Sequence, residues 1–464
     1  MARMRIGALL PWVVWHSLLT AAAAGDRDGK VTLQERAEPG QSSKVVVELK
    51  ASGLLKPGLA EGVEAKAEKP LAMRIEARFA FVERVLEVSR GGRPRRVARQ
   101  VAQAAAARNG EVLPEESAIR PAVSLLVAEM REGSVFTYSP GGPLTRTELE
   151  LAQGPADPLA LAGLLPEAPA AAVKVDDHWK VSAEAARSLS GYDALAVNGL
   201  EATLTALDED AARFRLRGEV QGAVLGGEGT IACDGTFTFD RKAGRIDRLD
   251  LERSEVRKPG PVEAGLDLKS TLSLDRHPCE APAALADAIV AALPTEPDPT
   301  LELLQLAPPG GKFTLRHDRD WHTFSETTRL TVLKRLDHGE VVAQCNLANG
   351  PDAGRGRHQD LDQFRDDVRS ALGRNFGRIV GEGEVEGDPA GGFRHKIAVG
   401  GKVGDVGVRW FYYLVASPAG DQLLATFTLT EDQTRRFADQ DTRLIGSLRW
   451  RDREAATDPA KPPF

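Results

Sequence analysis

Residues 213–221, RFRLRGEVQ, alternate between charged and apolar side chains. In an extended chain, Phe214, Leu216 and Val220 fall on one side and the charged residues fall on the other. A period of two is typical of a β-strand with one buried face and one solvated face. The stretch therefore predicts an antiparallel sheet that covers a core with one of its faces.

The same alternation recurs before and after this stretch. It is clear in TIACDGTFTFD (230–240) and in AGLDLKSTLSLD (264–275). MRIEARFAFVERVLEV (73–88) also alternates and then changes phase, which indicates a β-bulge near Glu83. We predict that residues 29–276 form a mostly antiparallel β domain with a curved sheet or half-barrel.

Two stretches of this region have other patterns. Residues 97–107 fit a strand or a helix, because the alanines favour a helix and the position after a Gly-Gly hairpin favours a strand. Residues 158–166, PLALAGLLP, predict a short helix.

After residue 276 the pattern changes. Residues 277–310 predict a Pro-rich junction with a short helix over 281–293. Residues 311–451 predict a domain with an antiparallel sheet flanked by helices, one over 358–373 and one after Thr430, whose spacing to Gln433 suits a capping box. Its predicted strands cover 313–317, 327–335, 340–348, 378–386, 392–399, 405–416 and 421–429. The fold class predicted for the whole chain is α+β, with a loose tail at 452–464.

The first 24 residues predict a secretory signal peptide. Arg3 and Arg5 provide a charged start, residues 6–19 are largely apolar, and residues 21–24 are alanines. A retained membrane anchor is the alternative, although the apolar run is short for a spanning helix. We expect an exported, soluble periplasmic or extracellular protein, with no membrane span after cleavage.

The composition restricts the possible functions. The 464 residues carry a net charge of −7, which gives no indication of nucleic-acid binding. Three cysteines, Cys233, Cys279 and Cys345, are too few for a disulfide framework, although one bridge is possible. The sequence contains no GxSxG, HExxH, CxxC or GxxxxGK[ST] motif. We therefore expect no cofactor, and the sequence leaves the oligomeric state open.

The C-terminal region resembles a known family. FTLRHDRDW (313–321), the helix over 361–372, VRWFYYLVA (408–416) and the closing helix to Trp450 are similar to the PsbP/DcrB-like family of small α+β domains. That family has a proline shortly before the tryptophan, and this sequence does not. The resemblance implies a binding or assembly module rather than an enzyme. The N-terminal region is similar to uncharacterised secreted bacterial β proteins and, in architecture, to LolA-like lipoprotein carriers.

A histidine- and aspartate-rich segment is the candidate for metal or acid–base chemistry. His317, Asp320 and His322 lie within six positions in RHDRDWHTF. On a strand, however, His317 shares a face with Phe313 and Leu315, and residues 318–320 suit a turn. We interpret the segment as a corner between strands and keep a hydrolase site as the alternative.

One hairpin carries a concentrated basic charge. RGGRPRRVARQ contains five arginines that suit an anionic envelope surface or an acidic partner, or else form a solvated hairpin tip. They are Arg90, Arg93, Arg95, Arg96 and Arg99.

The strand VRWFYYLVA is the candidate ligand or partner surface. Trp410 and Tyr412 alternate with Phe411 and Tyr413, so both faces of the strand carry aromatic rings. The alternative is that helices cover both faces. The function that these observations favour is a non-enzymatic exported protein of the bacterial cell envelope that binds a partner protein or an apolar ligand. A structural scaffold without a ligand is a further alternative.

Overall fold

The computed structural model describes residues 30–57, 69–112, 118–167, 172–386 and 392–451. The predicted signal peptide and the predicted tail lie outside these residues. The structure is 53% strand and 17% helix. The protein is therefore mostly β, and the predicted α+β class is wrong.

The described residues form twenty-five strands, numbered in chain order. They are β1 (Val31–Thr32), β2 (Ser42–Lys56), β3 (Leu71–Val88), β4 (Pro94–Arg108), β5 (Glu111–Val112), β6 (Leu125–Arg131), β7 (Ser134–Tyr138), β8 (Ala172–Val173), β9 (His178–Lys180), β10 (Ala194–Asn198), β11 (Glu201–Leu207), β12 (Ala211–Val224), β13 (Gly227–Asp240), β14 (Arg245–Arg257), β15 (Gly265–Pro278), β16 (Leu304–Leu306), β17 (Phe313–His317), β18 (Trp321–Glu326), β19 (Leu330–Asp337), β20 (Glu340–Gly350), β21 (Phe376–Glu384), β22 (Phe393–Val403), β23 (Val406–Ala416), β24 (Gln422–Thr430) and β25 (Arg449–Trp450).

The α-helices of the same residues are short. They are α1 (Arg146–Ala152), α2 (Pro158–Leu161), α3 (Ala183–Ser190), α4 (Asp287–Ala291), α5 (Pro299–Glu302), α6 (Leu361–Leu372), α7 (Thr434–Phe437) and α8 (Gln440–Gly446). α6, the longest of them, has 12 residues, whereas β3 has 18. The class prediction failed because it gave much weight to a few helical stripes, whereas most residues of the C-terminal region pair into long strands. The helix predicted over 281–293 is reduced to a 3-10 turn and the five residues of α4.

A large antiparallel sheet of thirteen strands dominates the described part of the first 278 residues. Its order is β7-β6-β4-β3-β2-β15-β14-β13-β12-β11-β9, with β5 beside β4 and β10 beside β12. The stretch 97–107 lies in strand β4. The pairing of β3 with β4 changes register on both sides of Glu83, between Ala80 and Phe81 and between Val85 and Glu87, which confirms the predicted irregularity.

The buried face of this sheet, called the inner face here, holds the main core. Phe214 pairs with Phe237 on the neighbouring strand, and their rings stack with centroids 4.4 Å apart. Helix α3 packs on this face through Ala185, Ala186 and Leu189. Ser182 begins the helix, because its hydroxyl accepts a hydrogen bond from the backbone N–H of Ala185.

A second antiparallel sheet has seven strands in the order β18-β19-β20-β24-β23-β22-β21. Strands β16, β17 and β25 form a separate small sheet. Trp321 is fully buried against Phe427 and Phe437. Helix α6 forms within the predicted range 358–373, and Thr430 and Gln433 make the predicted capping box.

Among the described residues, the contacts between the two sheet regions include one at an arginine and one at a pair of glycines. At the first, Arg319 donates to the carbonyl oxygens of Thr137, at 2.7 Å, and Glu302, at 2.9 Å, and its guanidinium lies over the Phe136 ring. At the second, Gly226 meets Gly339 so closely that a Cβ on Gly226 would lie 2.2 Å from the Gly339 oxygen. Both glycines have positive φ, so the close approach and the backbone conformation both exclude larger residues.

Candidate functional site

A row of mostly small side chains crosses the inner face of the large sheet. Consecutive strand pairings place its six members directly opposite one another. The small-residue row consists of Gly218 on β12, Cys233 on β13, Arg253 on β14, Ser270 on β15, Ala51 on β2 and Ile75 on β3. Each member has the same alternation parity as the core residues of its own strand, so the row belongs to the inner face.

A groove with a volume of about 910 Å³ lies along this row. Its lining combines the six members with exposed chain neighbours, such as Glu252 and Ser254 beside Arg253, and includes none of the inner-face residues two positions away. The groove therefore lies on the outer face of the sheet, to which these neighbours point. Six strands of a flat sheet would spread over roughly 24 Å. Because one groove touches all six strands, the sheet must curve around it. The volume is of the size that proteins use for small-molecule ligands.

On the inner face, the small-residue row lies beside the end of helix α3. The carbonyl oxygen of Leu189, in the last turn of α3, accepts a hydrogen bond from Arg253 at 2.9 Å. Gly191 then ends the helix with a φ of 74°. The row next to the small-residue row contains Leu216, Leu251 and Leu272, and these leucines are buried in the core. The side chain of Arg253 therefore points towards α3 and away from the groove.

On the other side of the small-residue row, the next row of the inner face is apolar except on β14, where it carries a charged residue. The next row contains Val220, Ile231 and Leu268, and it crosses β14 at Glu255. Strand β14 thus places Arg253, Glu255 and then Arg257 on an otherwise apolar face. We call these three residues the β14 charge ladder.

The ladder is only loosely paired internally. The closest atoms of Arg253 and Glu255 are 3.9 Å apart, and those of Arg257 and Glu255 are 3.8 Å apart. Arg257 also pairs with Glu263 at 3.0 Å. Burial raises the pKa of Glu255, and the charges of Arg257 and Arg253 offset this only in part.

Arg253 is a largely enclosed charge on the inner face. Its side chain is 9% exposed. Its Nε has no hydrogen-bond partner among the described residues, although Nη1 donates to Leu189. A buried guanidinium with an unused N–H is costly unless something accepts from it.

Cys233 lies beside Arg253 on the inner face. Its thiol is buried, and burial raises its pKa to about 11, although the charge of Arg253 acts in the opposite direction. Cys233, Cys279 and Cys345 are free thiols. Cys233 is therefore a chemical probe of the inner face.

The segment with His317, Asp320 and His322 forms a turn between two strands. β17 ends at His317, β18 begins at Trp321, and the Trp321 N–H donates to the Asp318 oxygen at 3.1 Å. Within the ranges that the structure describes, no group of three or more His, Cys, Asp or Glu residues is placed to hold a metal ion.

A buried arginine lies beside this turn and disfavours positive charge there. Arg146 on α1 donates to the carbonyl oxygens of Trp321, at 2.9 Å, and Arg319. Burial, together with the charge of Arg146, lowers the pKa of His317 to about 4 and that of His322 to about 3.

The five arginines of the hairpin are divided between the surface and the core. Arg90 and Arg95 are exposed and Arg93 is half-buried. Arg96 is buried and pairs with Glu87. Arg99 is fully buried and pairs with Glu83 and Asp157. The residues do not form one continuous exposed patch.

The aromatic strand β23 is covered on both faces. Trp410 and Tyr412 pack with Phe364 and Val368 of helix α6. On the other face, buried Tyr413 donates to Asp441 of α8 at 2.7 Å.

Phe411, half-buried on the Tyr413 face, stacks on the ring of Phe437 of α7, with centroids 6.0 Å apart. The four rings thus contribute mainly to packing in this structure.

The sequence contains one signal for the β14 charge ladder beyond those named above. In LDLERSEVR (249–257), the inner-face positions run Leu249, Leu251, Arg253, Glu255 and Arg257. The apolar alternation ends at Arg253 although the strand continues. Charged residues at positions of core parity indicate that this part of the strand faces a polar site, a cavity or a ligand.

Comparisons with known proteins identify no family. Neither a protein-family model nor a curated protein sequence matches the chain. Among solved structures, a Bacteroides thetaiotaomicron protein shares 10% identity over 32% of this chain and 49% of its own, with a TM-score of 0.24. Lipovitellin, in a structure titled for its lipid–protein interactions, shares 9% identity over 54% of this chain and 26% of its own, with a TM-score of 0.32.

A third structure, OccK11 (OpdR) of Pseudomonas aeruginosa, shares 8% identity over 86% of this chain and 98% of its own, with a TM-score of 0.12. The chain spans about half the length of the first of these proteins and about a quarter of the second. Structural similarities with TM-scores this low support no inference about the function of this chain. Among the described helices, none is long and apolar enough to cross a bilayer.

Proposed function

We propose that this chain is a non-enzymatic binding protein that holds an apolar ligand in the groove over the small-residue row. The observation that carries the proposal is the groove itself, about 910 Å³ in volume, which crosses six strands on the outer face of the large sheet. The proposal includes export to the cell envelope, on the basis of the predicted signal peptide at residues 1–24.

The energetics favour an apolar occupant. Each methylene that leaves water for an apolar surface contributes about 0.8 kcal/mol. The lining includes the small side chains of Ser52, Ala232 and Ser254, and the long side chains of Lys50 and Lys269, whose methylene stems are apolar. Ligand sites commonly combine such apolar walls with a few fixed polar groups.

The other candidate functions have less support. A hydrolase at His317 and His322 would need groups that take up protons near neutral pH, and Arg146 and burial oppose this. The resemblance of residues 311–451 to PsbP/DcrB-like domains remains part of the proposal, as a reason to assign this region to binding or assembly rather than to catalysis. A partner surface at Trp410 is less favoured, because its ring is buried.

The test compares a groove-filling variant with a matched control on the same strand. Thr271 lines the groove, and His277, exposed on the same face of the same strand, lies outside it. The probe is diphenylhexatriene, a neutral apolar rod whose fluorescence rises when it leaves water. We expect saturable binding to the wild type, at least tenfold weaker binding to Thr271→Phe, and unchanged binding to His277→Phe.

Two outcomes would contradict the proposal. One is the absence of saturable binding to the wild type. The other is wild-type affinity in both Thr271→Phe and a second groove-filling variant, Ser52→Phe. Circular dichroism of each variant confirms that the sheet has formed before binding is compared.

A further inference from the structure

We infer that the seven-stranded sheet carries a second binding site, a pocket that takes a small phosphate ester with two negative charges. The pocket has a volume of about 450 Å³, and most of its lining residues belong to strands β21, β22 and β23. The proposed apolar groove lies on the thirteen-stranded sheet instead. The inference therefore goes beyond the proposed function and rests on different residues.

Three cationic side chains of the pocket lie on one face of the sheet. Arg378 on β21 pairs with Gly400 on β22, and Gly400 pairs with Arg409 on β23. Lys402 has the same alternation parity as Gly400, so its side chain leaves the sheet on the same side. Ile379, the neighbour of Arg378, packs with the core on the other face. The strand register thus directs three positive charges to one side of the sheet.

Two glycines form the base of the pocket beneath an ion pair. A Cβ on Gly400 would lie 2.9 Å from Nη1 of Arg409, so the guanidinium lies directly over this glycine. A Cβ on Gly407 would lie 2.8 Å from Oε2 of Glu431. Arg409 and Glu431 pair with each other at 2.8 Å. The glycines therefore allow the guanidinium to lie against the sheet, because neither has a side chain that would displace it.

The lining has an excess of positive charge. Glu431 is its acidic member and pairs with Arg409. Arg374, Arg378 and Lys402 also line the pocket, are exposed, and have no ion pair within the described ranges. Four positive charges and one negative charge give the lining a net charge of +3, whereas the whole chain carries −7. The pocket is thus a local site of attraction for anions.

The charges and the volume define the class of ligand. A monocarboxylate carries one negative charge, whereas a phosphate monoester carries nearly two near neutral pH and has three acceptor oxygens. Arginine binds pairs of phosphate oxygens through its planar fork, and lysine contributes a point charge. A volume of about 450 Å³ is typical of small-ligand pockets, so it has room for the group to which the phosphate is attached.

The test compares phenyl phosphate, benzoate and inorganic phosphate on the full chain by isothermal titration calorimetry, at fixed ionic strength and a pH where the ester is dianionic. We expect phenyl phosphate to bind about tenfold more tightly than benzoate, which has the same ring and one negative charge. Inorganic phosphate distinguishes the two sources of this chemistry. Tighter binding of phenyl phosphate supports an ester as the ligand, and equal binding of both supports the same anion site with free phosphate as its ligand.

Variants of exposed residues assign the binding to this pocket. Arg378→Gln and Lys402→Gln each remove an unpaired charge and should weaken the binding of phenyl phosphate by about three- to tenfold. Glu431→Gln should strengthen it, because the variant removes the acid and releases Arg409 from its ion pair. Arg329→Gln is the matched control, since exposed Arg329 lies in the turn before β19, at the other side of the sheet from β21; its affinity should equal that of the wild type.

Four outcomes would overturn the inference. They are equal affinity of the wild type for phenyl phosphate and benzoate, wild-type affinity in both Arg378→Gln and Lys402→Gln, weaker binding to Glu431→Gln, and an equal loss of affinity in Arg329→Gln. Circular dichroism of each variant confirms folding before affinities are compared. None of these variants touches the groove of the other sheet, so the binding of diphenylhexatriene tests the proposed function independently.

Discussion

Cys233 and Arg253 occupy directly opposite positions on the neighbouring strands β13 and β14, and both side chains lie on the inner face of the large sheet, where helix α3 packs. One is a buried thiol that can be labelled chemically, and the other is a charge that donates to the Leu189 oxygen of α3. Their adjacency allows the packing of α3 on the sheet to be followed at a natural residue.

Alkylation of the thiols should therefore report on this packing. The pKa of Cys233 is raised to about 11, so its reactive thiolate is a minor form near neutral pH and becomes about tenfold more abundant with each unit by which the pH rises towards that value. We expect half-buried Cys279 to react with iodoacetamide before Cys233. Peptide mass spectrometry measures the rate at each thiol, and faster alkylation of Cys233 than of Cys279 would contradict the burial of Cys233.

The buried arginine of the hairpin should be essential for stability. Arg99 donates to both carboxylate oxygens of Asp157 at 2.7 Å and to Glu83 at 2.9 Å. Arg99→Met would leave two buried carboxylates without this partner, and we expect the free energy of unfolding to fall by about 3 to 5 kcal/mol. Arg95→Met, on the exposed side of the same strand, should change it by no more than about 0.5 kcal/mol. Urea denaturation measures both, and similar values for the two variants would refute the structural role of Arg99.

The contact between the two sheets should depend on Arg319. Arg319→Ala removes the hydrogen bonds to Thr137 and Glu302 and the contact with the Phe136 ring. We expect a loss of about 2 to 4 kcal/mol and a separation of thermal unfolding into two transitions. Arg316→Ala, an exposed change on β17, is the control and should leave the calorimetric profile unchanged. A single, unshifted transition in Arg319→Ala would show that the sheets are coupled elsewhere.

The strand corner should make stability depend on pH. Burial lowers the pKa of His317 to about 4, whereas an unfolded histidine titrates near 6.5. Below about pH 6.5 this histidine is protonated in the unfolded chain but stays neutral in the folded chain. The free energy of unfolding should therefore decrease as the pH falls from about 6.5 towards 4.

His317→Gln should make this decrease shallower, as measured by urea denaturation across that range. His338→Gln is the matched control, because His338 lies in an exposed turn. If the free energies of unfolding of the wild type and His317→Gln decrease in parallel as the pH falls, groups other than His317 cause the pH dependence.

Much of the local structure could be predicted from the alternation pattern. Strands β12, β13 and β15 follow the stretches 213–221, 230–240 and 264–275, and helix α6 falls inside its predicted range. These predictions succeeded because side-chain periodicity and capping act over a few residues. The α+β class was wrong because class depends on the proportion of strand to helix over the whole chain.

The candidate sites were harder to predict because burial is a property of the assembled sheet. Arg96 and Arg99 belong to one basic stretch, yet β4 places both against carboxylates from other elements. Trp410 is covered by α6, about forty residues earlier in the chain. Neither covering contact has a local sequence signature.

The sequence by itself determined which residues of each strand share a face, because alternate side chains of an extended chain point in opposite directions. Only the tertiary structure decided which residues of different strands lie opposite one another. Ala51 and Ser270 are adjacent because β2 pairs with β15, although more than two hundred residues separate them. The groove exists because that register brings the exposed chain neighbours of the small-residue row, from six strands, around one hollow of the sheet.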